Sequence, residues 1–217
     1  MKGLPLLILT IFLFSCQTLP LINSPVSPAD EKALTCPSPF LKEKYRLVHA
    51  IETRVAGDTR SVIIGVTLAD PSTHFISCAI MTAEGMVLFE AESGPDALKV
   101  NRALPPFDSV DFAKNMIEDI KLIFFAPDGK IQKKGHLPDG ATACRYREEN
   151  GDWIDVITDK SEGIAMKRYT SAGILKRHVI FHKTTANIYQ SIELQANETF
   201  NYSLLMTLIE SEPVKGE

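Results

Sequence analysis

The chain has 217 residues, of which 45% are hydrophobic and 23% charged, with 12 glycines and 13 prolines. These are globular values and argue against collagen-like, coiled-coil or wholly disordered structure. The 23 lysines and arginines against 27 aspartates and glutamates leave a net charge of −4 with no basic run, which speaks against a nucleic-acid partner.

Met1-Lys2-Gly3 is a short positive start, and Leu4 to Phe14 is almost unbroken apolar sequence. A permanent membrane helix needs about 20 such residues, so this stretch reads as the core of a secretory signal. It ends in Leu13-Phe14-Ser15-Cys16, which resembles a bacterial lipobox. The resemblance implies cleavage before Cys16 and attachment of diacylglycerol to its sulfur, then an amide-linked chain such as palmitate. Two or three acyl chains anchor a protein stably without a transmembrane helix. Gln17 rather than aspartate follows Cys16, which points to the outer membrane, with the domain facing the periplasm. The competing reading is an ordinary signal peptide whose cysteine is coincidental.

From Gln17 to Phe40 the chain holds Pro20, Pro25, Pro28, Pro37 and Pro39 among small polar residues. Such sequence buries too little apolar surface to fold alone, so it reads as an extended tether. The alternative, a strap packed on the domain, is strongest around Cys36 to Leu41. The expected organisation is a signal peptide at 1–15, a lipidated cysteine and tether at 16–40, one domain at 41–212 and a tail at 213–217.

Within the domain, Tyr45, Leu47, His49, Ile51 and Val55 alternate, as do Val62, Ile64, Val66 and Leu68 after the turn-like Gly57-Asp58. Phe75 to Thr82 and Met86 to Glu92 complete an antiparallel meander. After an irregular stretch, the helical spacing of Ala113, Met116, Ile117, Ile120, Ile123 and Phe124 predicts a helix. It starts near Asp108–Asp111 and ends by Ala126, before Pro127-Asp128-Gly129. Further strands are predicted at 141–147, 153–158, 163–169, 174–182, 188–194 and 202–210. The fold class is α+β, with about ten antiparallel strands and one helix.

This order of elements resembles the LolA/LolB-like superfamily of periplasmic lipoprotein carriers, and in particular a family of small bacterial lipoproteins with that fold. The residues behind the comparison are Ser77-Cys78-Ala79-Ile80-Met81 through Gly85 to Leu88-Phe89, then Ile120-Lys121-Leu122-Ile123-Phe124 and Tyr202-Ser203-Leu204-Leu205. The resemblance implies a curved, incomplete β-barrel whose concave face is covered by a helical segment and encloses an apolar cavity. It also implies an acyl chain or lipoprotein as ligand, in lipid or lipoprotein transport or outer-membrane biogenesis. Val66, Leu68, Ile80, Leu88, Met116, Ile120 and Phe124 are the candidate lining residues. For any one of them, ordinary core packing is the commoner reading of an apolar residue on a helix or strand that faces a sheet. The rival function is a structural or protein-interaction lipoprotein of the envelope, with an envelope protein as partner.

The sequence offers little chemistry. It has no Walker loop, dinucleotide glycine pattern, G-x-S-x-G or H-E-x-x-H. His178 and His182 fall on a predicted strand, where four residues span roughly 13 Å, too far for one zinc ion. No catalytic residue, metal or cofactor is therefore expected. Export favours a disulfide among Cys36, Cys78 and Cys144, with all three pairings open.

Overall fold

The computed structural model describes residues 19–25, 27, 33–55, 58–95, 97–158, 163–185, 188–197 and 201–214. The signal segment, Cys16, Gln17, the Gly57 turn and the end of the tail lie outside the described residues. No helix among the described residues is long and apolar enough to cross a membrane.

Five strands come first: β1 (Tyr45–Val55), β2 (Asp58–Asp70), β3 (Phe75–Met81), β4 (Val87–Ser93) and β5 (Leu98–Ala103). The helix α1 (Val110–Phe124) follows. Seven strands complete the chain: β6 (Lys130–His136), β7 (Thr142–Arg147), β8 (Trp153–Thr158), β9 (Ile164–Tyr169), β10 (Leu175–Thr185), β11 (Ile188–Ala196) and β12 (Tyr202–Pro213). They form one 12-stranded sheet in the order β5-β4-β3-β2-β1-β12-β11-β10-β9-β8-β7-β6, antiparallel throughout.

The expected count of about ten strands falls short by β5 and β6, which are the two sheet edges. Each is largely exposed and charged, so neither carries the alternation that a one-sided core imposes on a strand. The expected helix is present. Ser109 caps it, its side chain accepting a hydrogen bond from the Phe112 amide at 3.1 Å, and Asp111 sits in the first turn where negative charge is favoured.

Helix α1 connects one edge strand to the other, and both halves of the sheet pack on it. Leu47, Ile76, Phe89 and Ala91 from the first half join Val156, Met166, Val179, Phe181 and Leu194 from the second. All lie in one buried cluster with Ala113, Ile117, Ile123 and Phe124 of the helix. A sheet that meets one helix from both halves must curl around it. Because β5 and β6 do not pair with each other, the barrel stays incomplete.

Part of the expected tether lies on the sheet. The second buried cluster joins Ile22 to Ala141, Ala143 and Ile157. Ala143 pairs with Ile157 while their neighbours Cys144 and Val156 pair one position along, and Val156 belongs to the helix-side core. Successive side chains of a strand point to opposite faces. Ile22 therefore packs on the outer face, away from α1. Asn23 then exchanges backbone hydrogen bonds with His136 at 2.8 and 2.9 Å, capping edge strand β6. Farther on, Cys36 forms a disulfide with Cys144, and the Leu41 amide donates to the Phe124 carbonyl at 3.0 Å, both on the helix side. The described parts of the segment thus lie on both faces of the sheet, Ile22 on the outer one and Cys36 to Leu41 on the inner one. Gly135 permits the Asn23 contact, since a Cβ there would lie 2.0 Å from the Asn23 carbonyl oxygen.

Candidate functional site

The concave interior is the site the sequence points to, and its geometry follows from strand phase. In β2 the buried positions are Ile63, Gly65, Thr67 and Ala69. Val66 and Leu68, expected to line a cavity, are out of phase with them, paired with Val48 and Arg46 on the outer face. The bulky apolar side chains Ile64, Val66 and Leu68 take the outer face of β2, while Gly65, Thr67 and Ala69 face inward, so the more apolar phase of the sequence is the wrong one.

The other candidates lie inward. Ile80 and Phe124 are buried in the core, and Met116 and Ile120 are half-buried against it. Leu88 is also half-buried against the core, at a bulge where Ile80 pairs with Phe89 but Met81 with Val87. All five belong to one buried cluster or pack against it. Toward the N-terminal end of α1, Phe112 meets Phe89 edge-on at 5.4 Å and Phe107 at 5.1 Å, filling that end of the interior.

Near the other end of α1 a small cavity of about 10 Å³ remains. Pro39 and Leu41 of the strap, Ile123 and Phe124 of the helix, and Phe181, Ile188, Tyr189 and Ile192 of the sheet surround it, with His49 from β1. His49 is 1% exposed, and neither ring nitrogen has a hydrogen-bond partner. Burial pulls its pKa down to about 4, so the ring is neutral. An unpaired polar ring in an apolar interior is costly and calls for an explanation. His49 was legible as part of the Tyr45–Leu47–Ile51 face, but its isolation was not. The surrounding elements come from four separate stretches of chain.

The helix is fastened over this interior by Asp119. Its carboxylate accepts from Arg177 Nε at 2.7 Å and from the Tyr202 hydroxyl at 2.5 Å, tying α1 to β10 and β12. Burial pushes the Asp119 pKa up, and the Arg177 charge opposes that shift.

A larger cleft of about 310 Å³ opens at the C-terminal end of α1, outside the apolar interior. Its floor is Leu122, Phe125 and Ile154. Its wall includes Arg168, which pairs with Glu118, Glu148 and Asp152 at 3.1 to 3.2 Å. Burial raises the Glu148 pKa, offset by Arg168. His74 stands 3.6 Å from Asp128 at its rim, in a left-handed backbone conformation (φ 53°). No serine, threonine or cysteine lines this cleft, so His74 has no hydroxyl or thiol there to activate. Burial pushes the Cys78 thiol up to about 12, far from a nucleophile. Among the described residues no three His, Cys, Asp or Glu side chains gather as a metal site.

Comparison with solved structures then places the architecture. A LolA superfamily protein from Nitrosomonas europaea matches over 82% of this chain and 89% of its own, with a TM-score of 0.55 and 9% sequence identity. The fold is LolA-like. A domain described as a putative outer membrane lipoprotein-sorting protein, from Vibrio parahaemolyticus, also aligns, over 87% of this chain and 92% of its own, at 11% identity and a TM-score of 0.47. No family model and no curated protein sequence matches the chain. At 9% identity the likeness is one of architecture: a curved sheet around a helix, with no residue role carried across.

Proposed function

We propose that the protein is a lipid-anchored, non-catalytic lipoprotein of the outer membrane that binds an acyl chain between the concave sheet and α1. The observation that carries this reading is the apolar interior under a helix fastened at Asp119, with an unpaired His49 in its remaining cavity. A LolA-like fold supports the ligand class. Each methylene withdrawn from water contributes about 0.8 kcal/mol, so an acyl chain needs no charged partner to bind. The cavity of about 10 Å³ beside His49 cannot admit such a chain as it stands. Binding therefore requires α1 and the Pro39–Leu41 strap to move outward, because these elements form one wall of the cavity.

The packed interior favours a second reading, a structural or interaction lipoprotein of the envelope whose sheet keeps no cavity. One experiment separates the two. Protein extracted from membranes, and its Cys16→Ser counterpart, are offered palmitate and phospholipid and weighed by native mass spectrometry. The first reading expects one noncovalent acyl ligand per chain in both. A ligand-free chain under all conditions supports the second. In cells the Cys16→Ser protein is expected in the soluble periplasmic fraction, and its sedimentation with membranes would refute the anchor.

A further inference from the structure

The docked N-terminal segment fixes where an anchored chain leaves the domain. Pro20 is held by its carbonyl, which accepts from Arg145 Nη2 at 2.9 Å, and Ile22 is 1% exposed. Arg145 itself is clamped by Asp155 through two 2.6 Å hydrogen bonds. Arg145 and Asp155 are paired across β7 and β8 in phase with Ala143 and Ile157, so all four share the outer face. Only three residues lie between Cys16 and Pro20, a reach of at most about 14 Å over the four steps. An acyl group on Cys16 must therefore enter the bilayer beside this outer face. The helix-covered interior lies on the opposite side of the sheet.

The residues around the exit suit such a neighbour. Lys133 is paired with Arg145, Lys130 with Arg147, and Lys167 with Asp155, so the three lysines project on the same face. Asp155 is fully buried and its charge is taken up by Arg145. Arg147 lies over the Trp153 ring at 4.0 Å, and both are in phase with Arg145 and Asp155. Leu21, next to the anchor point, is 65% exposed. Cations, a tryptophan and an exposed leucine beside an acylated terminus are what a phospholipid headgroup layer accommodates.

We propose that the outer face of β6, β7 and β8 rests on the anionic phospholipid surface that carries the anchor, so that the helix-covered side faces away from the membrane. This rests on acylation of Cys16, and the test keeps the two apart. Trp153 is the single tryptophan of the chain and reports on this face. Full-length lipidated protein is reconstituted in phosphatidylcholine–phosphatidylglycerol vesicles with plain or brominated acyl chains. Flotation reads the anchor, and quenching of Trp153 emission reads the orientation.

The expected result is flotation with quenching by brominated lipid, reduced in pure phosphatidylcholine and at high salt. Each lysine near a charged surface is worth roughly a fivefold change in association. The triple variant Lys130→Gln/Lys133→Gln/Lys167→Gln should therefore float normally and lose most of the quenching. Flotation without quenching overturns the docking face and leaves the anchor intact. Quenching indifferent to both salt and the triple variant overturns it too, because the lysines then contribute nothing. Failure to float overturns the anchor and the docking face together.

Discussion

His49 shows how one side chain sets a pH response. Its pKa is near 6.5 in an unfolded chain and about 4 in the folded one, because protonation would put a charge in an apolar interior. The unfolded chain thus binds the extra proton between those values. Stability from this residue is complete above pH 6.5 and is lost as pH falls towards 4, by about 3 kcal/mol in all. His178, also lowered by burial and by Lys167, adds in the same direction. Urea unfolding at pH 7.5 and pH 4.5 should show the loss, and His49→Leu should remove most of it. Equal pH slopes in the two proteins would contradict the assignment.

The strap and the edge strands belong to the next scale. Gly135 is the point where the strap backbone touches β6, and a Cβ there would meet the Asn23 carbonyl at 2.0 Å. Gly135→Val should therefore displace residues 19–25 while the sheet survives, at a cost of about 1–3 kcal/mol. Limited proteolysis should then cut near Leu21 faster than in the parent, and an unchanged cleavage rate would rule out the contact. The elements legible in the sequence were those with one buried face or a wide apolar stripe, such as β3 with its strict burial alternation and α1. β5 and β6 were not legible because charged residues face solvent along both. The docking of Ile22 was hidden for another reason. A proline-rich segment reads as solvated unless the groove that receives it is known, and Ala141, Ala143 and Ile157 come together only in the folded sheet. In the candidate site, the phase of Ile80 and Phe124 was readable. That of Val66 and Leu68 was not, since the inward face of β2 carries the small Gly65, Thr67 and Ala69 while its bulkier apolar residues face outward.

Across the whole molecule the strap is held by the Cys36–Cys144 disulfide, which closes a span of 108 residues and leaves Cys78 buried and free. Three pairings were open in the sequence, and the position of Cys36 against Cys144 on the helix side of β7 selects this one. Its removal as Cys36→Ser/Cys144→Ser should lower the unfolding free energy by about 2–5 kcal/mol, read from denaturation midpoints. A change under 0.5 kcal/mol would mean that strap packing alone suffices.

The sheet order also bears on how the chain assembles. β1 and β12 are neighbours at the centre, with Tyr45 opposite Pro213, although one opens the domain and the other is its last described strand. Every other pairing joins strands consecutive in the chain and can form early as local hairpins. Two partial sheets, β1–β5 and β6–β12, can thus zip up separately as the chain folds. The seam between them closes only once the far end of the polypeptide has arrived.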